Sequence, residues 1–336
     1  MIEDRRFLDI MDREMFMDES NSWVAPLPFR TPRQRLPNNR DQNIFDRDHA
    51  EVAPPLREGQ GYLNNSLLGV LLRFRRELVA VTVDIEQMFH SFIVKEEDRD
   101  FLRFLWFKEN DTSKEIIEYR MRVHVFGNSP SPAVAIYGLR RAAAYDEKEY
   151  GSDAKHFVER EFYVDDGLLS TPTAAEAIDL LTRTKEMLAT SNLRLHKFAS
   201  NSKEVMDAFP IEDHAKGLKD LNLEVDPTPI QCSLGLSWDV KRDVFTFHVT
   251  DIKKPFTRRG ILATVNSLFD PLGFVAPIII EGKFLLRELS GEALDWDSPL
   301  PEDREEAWNA WRKSLQDLKR LEIPRPYIHT TLSTAL

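Results

Sequence analysis

A single cysteine, Cys232, leaves this chain unable to form an internal disulfide or a cysteine-based zinc cluster, and alone it reads as packing rather than chemistry. Long apolar runs are missing too: the uncharged apolar stretch at residues 273–280 is far too short to span a bilayer. The start, Met1-Ile2-Glu3-Asp4-Arg5-Arg6, has neither the basic opening nor the apolar core of a signal peptide, so an intracellular protein, cytoplasmic or nuclear, is expected with no membrane partner. No Asp-Ser-Gly or Asp-Thr-Gly occurs, which removes the aspartic peptidase class. Internal repeats and low-complexity tracts are absent as well. An excess of basic charge is lacking, for the net charge of −11 argues on its face against nucleic-acid binding. The charge is uneven, however. Arg73, Arg75 and Arg76, then Arg140 and Arg141, then Lys253, Lys254, Arg258 and Arg259 form clusters that would track a phosphate backbone or, equally, solvate helix faces.

What is present is a chain of 336 residues, 42% hydrophobic and 30% charged, long enough for two or three subdomains around a substantial core. Its most informative feature is acidic. Phe162-Tyr163-Val164 runs into Asp165-Asp166-Gly167, and Leu78-Val79-Ala80-Val81-Thr82-Val83 runs into Asp84. Carboxylates at the ends of two strands can meet at one sheet edge, where an unneutralised pair at ~4 Å repels by roughly 4 kcal/mol at an effective dielectric of about 20. A divalent cation with oxygen ligands, Mg²⁺ first among them, meets that need, and two such ions form the clamp used for in-line phosphoryl and nucleotidyl transfer. Asp-Asp-Gly between apolar runs is also an ordinary hairpin turn, because Asp and Gly tolerate positive φ. The two readings are compatible, since a hairpin tip frees adjacent carboxylates from strict strand alternation.

Along the chain, residues 1–65 are rich in Pro, Asn, Arg and Asp and read as loosely organised. Residues 65–77 read as a helix, 101–107 and 116–123 as a strand pair, and about 131–150 as a helix capped by Ser131 with Pro132 in its first turn. Thr173 and Glu176 form a capping box for a helix over about 174–191, and Asn201 with Glu204 forms another for 202–209. Residues 193–198 read as a strand, and 230–238 with 244–249 as a hairpin around Lys241-Arg242-Asp243. Beyond lie three helices, 257–269, 277–289 and 301–321, the last placing Trp308 and Trp311 in the core.

In this order the pieces resemble the reverse transcriptase region of BEL/Pao-type LTR retrotransposon polyproteins, over roughly residues 64–336. Val83-Asp84-Ile85-Glu86-Gln87-Met88-Phe89-His90 is similar to the first polymerase motif of that family. Phe126-Gly127, with Ser131-Pro132-Ala133, is similar to the second, and Phe162-Tyr163-Val164-Asp165-Asp166 to the YxDD box. Leu195-His196-Lys197-Phe198-Ala199-Ser200-Asn201 and Leu234-Gly235-Leu236-Ser237-Trp238 are similar to later motifs, the second being the primer-grip hairpin.

The resemblance implies an α/β (α+β) right-hand polymerase fold. Its palm would be an antiparallel sheet with flanking helices (64–240), its fingers truncated (1–63), and its thumb or connection helical (241–336). It implies an RNA-directed DNA polymerase in which Asp84, Asp165 and Asp166, with the carbonyl of Ile85, hold two Mg²⁺ ions, Mn²⁺ being a possible substitute. Phe89 would lie under the sugar of the incoming nucleotide and favour dNTP over rNTP. Phe126 would pack near the nucleotide, Gly127 would let the backbone approach the base pair, and Lys197 is a candidate proton donor to pyrophosphate. Leu234, Gly235, Leu236 and Trp238 would grip the primer. The implied partners are an RNA or DNA template-primer and dNTP.

Two departures from the family pattern matter. The fingers strand of Arg-Val-Val-Phe-Asp type, which supplies basic contacts to the triphosphate, is missing, because Glu58-Gly59-Gln60-Gly61-Tyr62-Leu63 runs straight into Asn64. The chain is also expected to lack the ribonuclease H and integrase domains of the polyprotein. The alternatives are a catalytically inactive retroelement-derived fragment, serving as a nucleic-acid-binding or structural scaffold, and a metal-dependent nuclease. The latter needs a fourth acid, for which Glu86 is the only neighbour to nominate.

Overall fold

The computed structural model describes residues 2–29, 63–216, 230–233, 236–247, 249, 254–290, 295–300 and 305–327. Among them the chain begins with α1 (Ile2–Glu14), β1 (Phe16–Met17), β2 (Trp23–Ala25), α2 (Leu67–Phe74), β3 (Val79–Ile85), β4 (Ile93–Val94), β5 (Arg103–Phe107) and β6 (Ile116–Arg120). It continues through α3 (Ser131–Tyr145), α4 (Glu147–Tyr150), α5 (Ser152–Glu161), β7 (Phe162–Tyr163), β8 (Asp166–Thr171), α6 (Ala174–Ala189), β9 (Leu195–Ser200) and α7 (Lys203–Asp207). Then come β10 (Ile230–Ser233), β11 (Leu236–Asp239), β12 (Val244–Thr246), α8 (Arg258–Asn266), α9 (Ala276–Ser290), α10 (Glu305–Ser314) and β13 (Glu322–Pro324). The result is a mixed α/β structure with several small sheets.

Two compact units emerge, one of residues 1–66, 84–167 and 179–196, the other of 67–83, 168–178 and 197–336. In the first, β1, β2 and β4 form a sheet in that order, β2 running parallel to β4, and β5 pairs antiparallel with β6 as expected. The expectation of loose organisation is corrected at 2–29, where α1 buries Phe7 and Met11, and Met15 just after its end is buried as well. Gly138 of α3 accepts that close packing: a Cβ there would stand 2.1 Å from the Phe92 ring and 2.8 Å from the Met15 methyl.

The expected helix from Ser131 to residue 150 is two helices, interrupted at Asp146, whose carboxylate accepts from the Thr190 hydroxyl at 2.5 Å. Ser131 is the first helical residue rather than the cap; Pro130 stands at the cap position with no side-chain bond. Helix α5 was not foreseen. Its buried Ala154, Phe157 and Val158 supply a helical stripe that sequence inspection could have found.

In the second unit β10, β11, β12 and β13 form an antiparallel sheet in sequence order. The single strand expected over 230–238 is instead folded back on itself, with Ser233 opposite Leu236. Trp238 and Phe245 face each other in register and join Val70, Leu71, Phe74, Leu168 and Leu236 in one buried cluster. A second cluster gathers Ile261, Val265, Leu315 and Leu318 around Trp308 and Trp311, whose rings stack 5.0 Å apart, confirming their core assignment. The capping box of α6 forms, since the Thr173 hydroxyl accepts from the Glu176 amide at 3.3 Å. That of α7 is capped by Ser202 rather than Asn201. Asn201 is drawn elsewhere, donating to Leu78 O and Asp243 Oδ2 and accepting from the Ala80 amide.

Candidate active site

The four-stranded sheet has the order β7-β8-β3-β9, so the strand that ends near Asp84 lies beside the strand that leaves the Asp165-Asp166 hairpin. Tyr163 pairs with Asp166, leaving Val164 and Asp165 as the two-residue tip. The left-handed backbone expected of Asp or Gly falls on Val164, at φ 59°. A β-branched residue is unfavourable there, and such conformations persist where surrounding contacts over-determine them. One such contact is the Ile85 amide, which donates to the Asp165 carbonyl at 3.1 Å and ties the tip to the end of β3.

On the other side of β3, the Glu86 amide donates to the Arg194 carbonyl at 2.9 Å. This register brings side chains together in two pairs. Asp84 Oδ1 lies 2.8 Å from His196 Nε2, with side chains 17% and 15% exposed, and Arg194 Nη1 donates to Glu86 Oε2 at 2.9 Å. Acidic positions 84 and 86 thus meet nitrogen-bearing positions 196 and 194. His196 lay within a quoted motif without being singled out; the signal was an imidazole two positions beyond Arg194 on a strand expected in the same sheet.

Asp84, Asp165, Asp166 and Ile85 therefore share one neighbourhood, but their side chains do not yet form a closed cation site. Among the described residues no group of three or more His, Cys, Asp or Glu is placed to hold a metal ion. In kind the donors fit Mg²⁺ or Mn²⁺, being hard carboxylate oxygens. In arrangement their side chains do not form such a site among the described residues. Glu86, the fourth acid a nuclease would need, is engaged by Arg194.

Phe89 is buried at 5% exposure, with Phe126 edge-on at 4.4 Å between ring centroids. Phe126 itself is 73% exposed. Gly127 has φ 84°, and a Cβ built on it would meet nothing within 4 Å, so backbone conformation rather than protein packing calls for glycine. Lys197, in the second unit, is exposed with φ 53°. Leu234 and Gly235 lie outside the described residues, whereas Leu236 and Trp238 are buried core positions of the second unit.

The basic clusters prove largely structural. Arg140 donates to Glu159 O and Arg141 to Met11 O, while Arg75 donates to Arg325 O at 2.8 Å and lies over the Phe274 ring. Arg258 covers Trp296, and Arg259 pairs with Asp297 at 2.7 Å. Burial holds Arg140 and Arg75 below the usual arginine range. Among the described residues no helix is long and apolar enough to cross a membrane.

Residues 257–335 match a protein family described as Pao retrotransposon-like RNaseH-like domain. That stretch is thus similar to a retrotransposon-derived family, but it is the part read above as thumb and connection, and the expectation that no ribonuclease H segment is present is revised for it. Its described residues form α8, α9, α10, a 3₁₀ turn at Leu315–Arg320 and β13, which pairs with β12 outside the matched stretch. No curated protein matches the chain. Among solved structures, it is similar to the foamy viral protease-reverse transcriptase dRH in complex with ds DNA, at 15% identity over 79% of this chain and 39% of that one, with a TM-score of 0.50. A second match is the foamy viral protease-reverse transcriptase in complex with RNA/DNA hybrid, at 15% identity over 75% of this chain and 29% of that one, with a TM-score of 0.47. The chain therefore spans well under half the length of either, and the first likeness is one of fold.

Proposed function

We propose that this chain is a retroelement-derived, nucleic-acid-binding polymerase module that extends a primer by RNA-directed DNA synthesis. The observation that carries the reading is the Ile85–Asp165 bond, which brings the end of the Asp84 strand and the tip of the Asp165-Asp166 hairpin to one place. The foamy viral structure in complex with ds DNA supports a nucleic-acid partner. The family match supports the retrotransposon origin.

In this reading Asp84, Asp165 and Asp166, with the Ile85 carbonyl, would hold two Mg²⁺ ions, or Mn²⁺. When bound, the cations would lower the pKa of the primer 3′-hydroxyl and stabilise the departing pyrophosphate. The protein's own part is placement. The hairpin tip is held by its backbone, through the Ile85–Asp165 bond. Phe126, exposed and backed by buried Phe89, would present an aromatic face to a dNTP whose sugar lies towards Phe89, with Gly127 turning the backbone beside it. The roles of Lys197 in proton donation and of Leu234, Gly235, Leu236 and Trp238 in gripping the primer rest on the sequence resemblance alone.

The test is extension of a labelled primer on an RNA template with dNTPs and Mg²⁺ or Mn²⁺, with Asp165→Asn alongside. Extension by the parent that is lost in the variant is expected. Silence from both, with the duplex still bound, would favour the second reading, an inactive retroelement-derived scaffold. The Asp84–His196 contact is the observation on that side, since it occupies a carboxylate that catalysis needs.

A further inference from the structure

We propose that β6 is a self-association edge: a second copy of this chain adds its own β6 antiparallel to it about a twofold axis at Tyr119, joining two hairpins into one four-stranded sheet. The inference stands apart from the polymerase reading and needs none of its residues.

The β5–β6 hairpin forms a sheet of two strands, and among the described residues neither strand pairs with a third. A lone hairpin of this kind is marginal in water, and its outer edges are templates for another strand. Its apolar side chains are nevertheless left in solvent, for Phe104, Leu105, Trp106 and Ile116 are between 42% and 57% exposed. On one face the Phe104 and Tyr119 rings stack 5.7 Å apart, with Trp106 opposite Ile117 beside them. An apolar patch of this extent marks an interaction surface.

Charge selects the partner. A nucleic acid would need unpaired cations, yet Arg103 pairs with Glu118 at 3.2 Å, Arg120 with Asp100 at 3.2 Å, Lys108 with Glu115 at 3.0 Å, and Lys114 with Glu109. Residues 96–122 as a whole hold eight acids against six bases. A second copy sets a different condition, that like charges must not face each other across the axis.

The register of β6 meets that condition. The Met121 amide donates to the Leu102 carbonyl and the Lys108 amide to the Glu115 carbonyl. By the alternation of an antiparallel ladder, Ile116, Glu118 and Arg120 therefore turn their main-chain groups outward. Two such edges paired about Tyr119 set Glu118 opposite the second copy's Arg120, and Arg120 opposite its Glu118, both in hydrogen-bonding positions. The β5 edge carries a single charge, Arg103, and offers no such match. Even fully covered, the four exposed apolar side chains offer on the order of 400 Å² per copy, half of one side of a standard interface, so the dimer is weak and its main-chain bonds matter.

The experiment is sedimentation velocity of the full chain over a micromolar concentration series, for the parent, Glu118→Lys, Arg120→Glu and the double variant. Circular dichroism melts confirm that each is folded. A concentration-dependent dimer is expected in the parent, with a dissociation constant raised about tenfold in each single variant, because both symmetry-related pairs then become repulsive. The double variant should recover parental association. It breaks the intrachain Arg103–Glu118 and Arg120–Asp100 pairs as the single variants do, so recovery reports contact between copies. A parent that stays monomeric, a dimer indifferent to the single charge changes, or a double variant that fails to recover would each overturn the proposal. A monomer whose affinity for a labelled single-stranded oligonucleotide falls on Trp106→Ala would also overturn it, assigning the hairpin to nucleic acid instead.

Discussion

The amide of Ile85 donates to the carbonyl of Asp165 across 3.1 Å, fastening the end of one strand to the tip of a hairpin eighty residues further along the chain. Because the bond uses backbone on both sides, it leaves the Asp165 carboxylate to other contacts. It also helps explain why Val164, beside Asp165, tolerates φ 59°.

The strain at Val164 can be relieved by a residue that accepts left-handed backbone. Val164→Asn is expected to stabilise the protein by about 1 kcal/mol, because Asn visits this region at far lower cost than a β-branched side chain. Chemical denaturation of parent and variant measures it. A loss of stability would mean that the valine methyls matter more than the backbone angle.

Arg325 is fully buried and closes on Asp243 with Nε–Oδ1 at 2.6 Å and Nη2–Oδ2 at 2.9 Å, while donating to the carbonyls of Phe74, Glu77 and Leu78. The Trp238 indole donates to the same carboxylate at 2.9 Å. Removing one member strands a buried charge and several backbone acceptors. Arg325→Met should therefore cost roughly 3–5 kcal/mol, far more than an exposed substitution such as Arg76→Met, in equilibrium unfolding.

Acid should loosen the first unit through His124, whose burial pushes its pKa from 6.5 down to about 4, with the Ala25 backbone opposing the shift. Above about pH 6.5 the ring is neutral folded or unfolded. Between 6.5 and 4 only the unfolded chain takes up the proton, so stability falls as pH drops through that window, by roughly 3 kcal/mol in all. Denaturant melts at pH 7 and pH 5 should show this loss in the parent and much less of it in His124→Gln.

Phe126 offers a ring 73% exposed to solvent, braced by buried Phe89. Phe126→Ala should leave stability within about 0.5 kcal/mol of the parent. Under the polymerase reading it should raise KM for dNTP in primer extension. An unchanged KM would remove Phe126 from the nucleotide site.

Much of this was legible from residue order alone. The Thr173–Glu176 capping box, the β5–β6 pair, the Trp308–Trp311 core and the strand ending near Asp84 each follow from signals within a few positions: a cap, an alternation, a helical stripe. Residues 230–238 misled because apolar and polar or glycine positions alternate through Ile230-Gln231-Cys232-Ser233-Leu234-Gly235-Leu236-Ser237-Trp238 as they would along one strand, and α1 was hidden by the proline-rich composition that follows it.

By itself, then, the amino-acid order determined the local elements and which acids stand at strand ends, since helix caps and side-chain periodicity act over one or two turns. Only tertiary structure decided what those acids touch. Asp84 meets His196 112 positions away, and Arg75 meets the Arg325 carbonyl 250 positions away. Such pairs depend on strand register and on the packing of distant segments, and these are settled by the burial of whole faces rather than by any short run of residues.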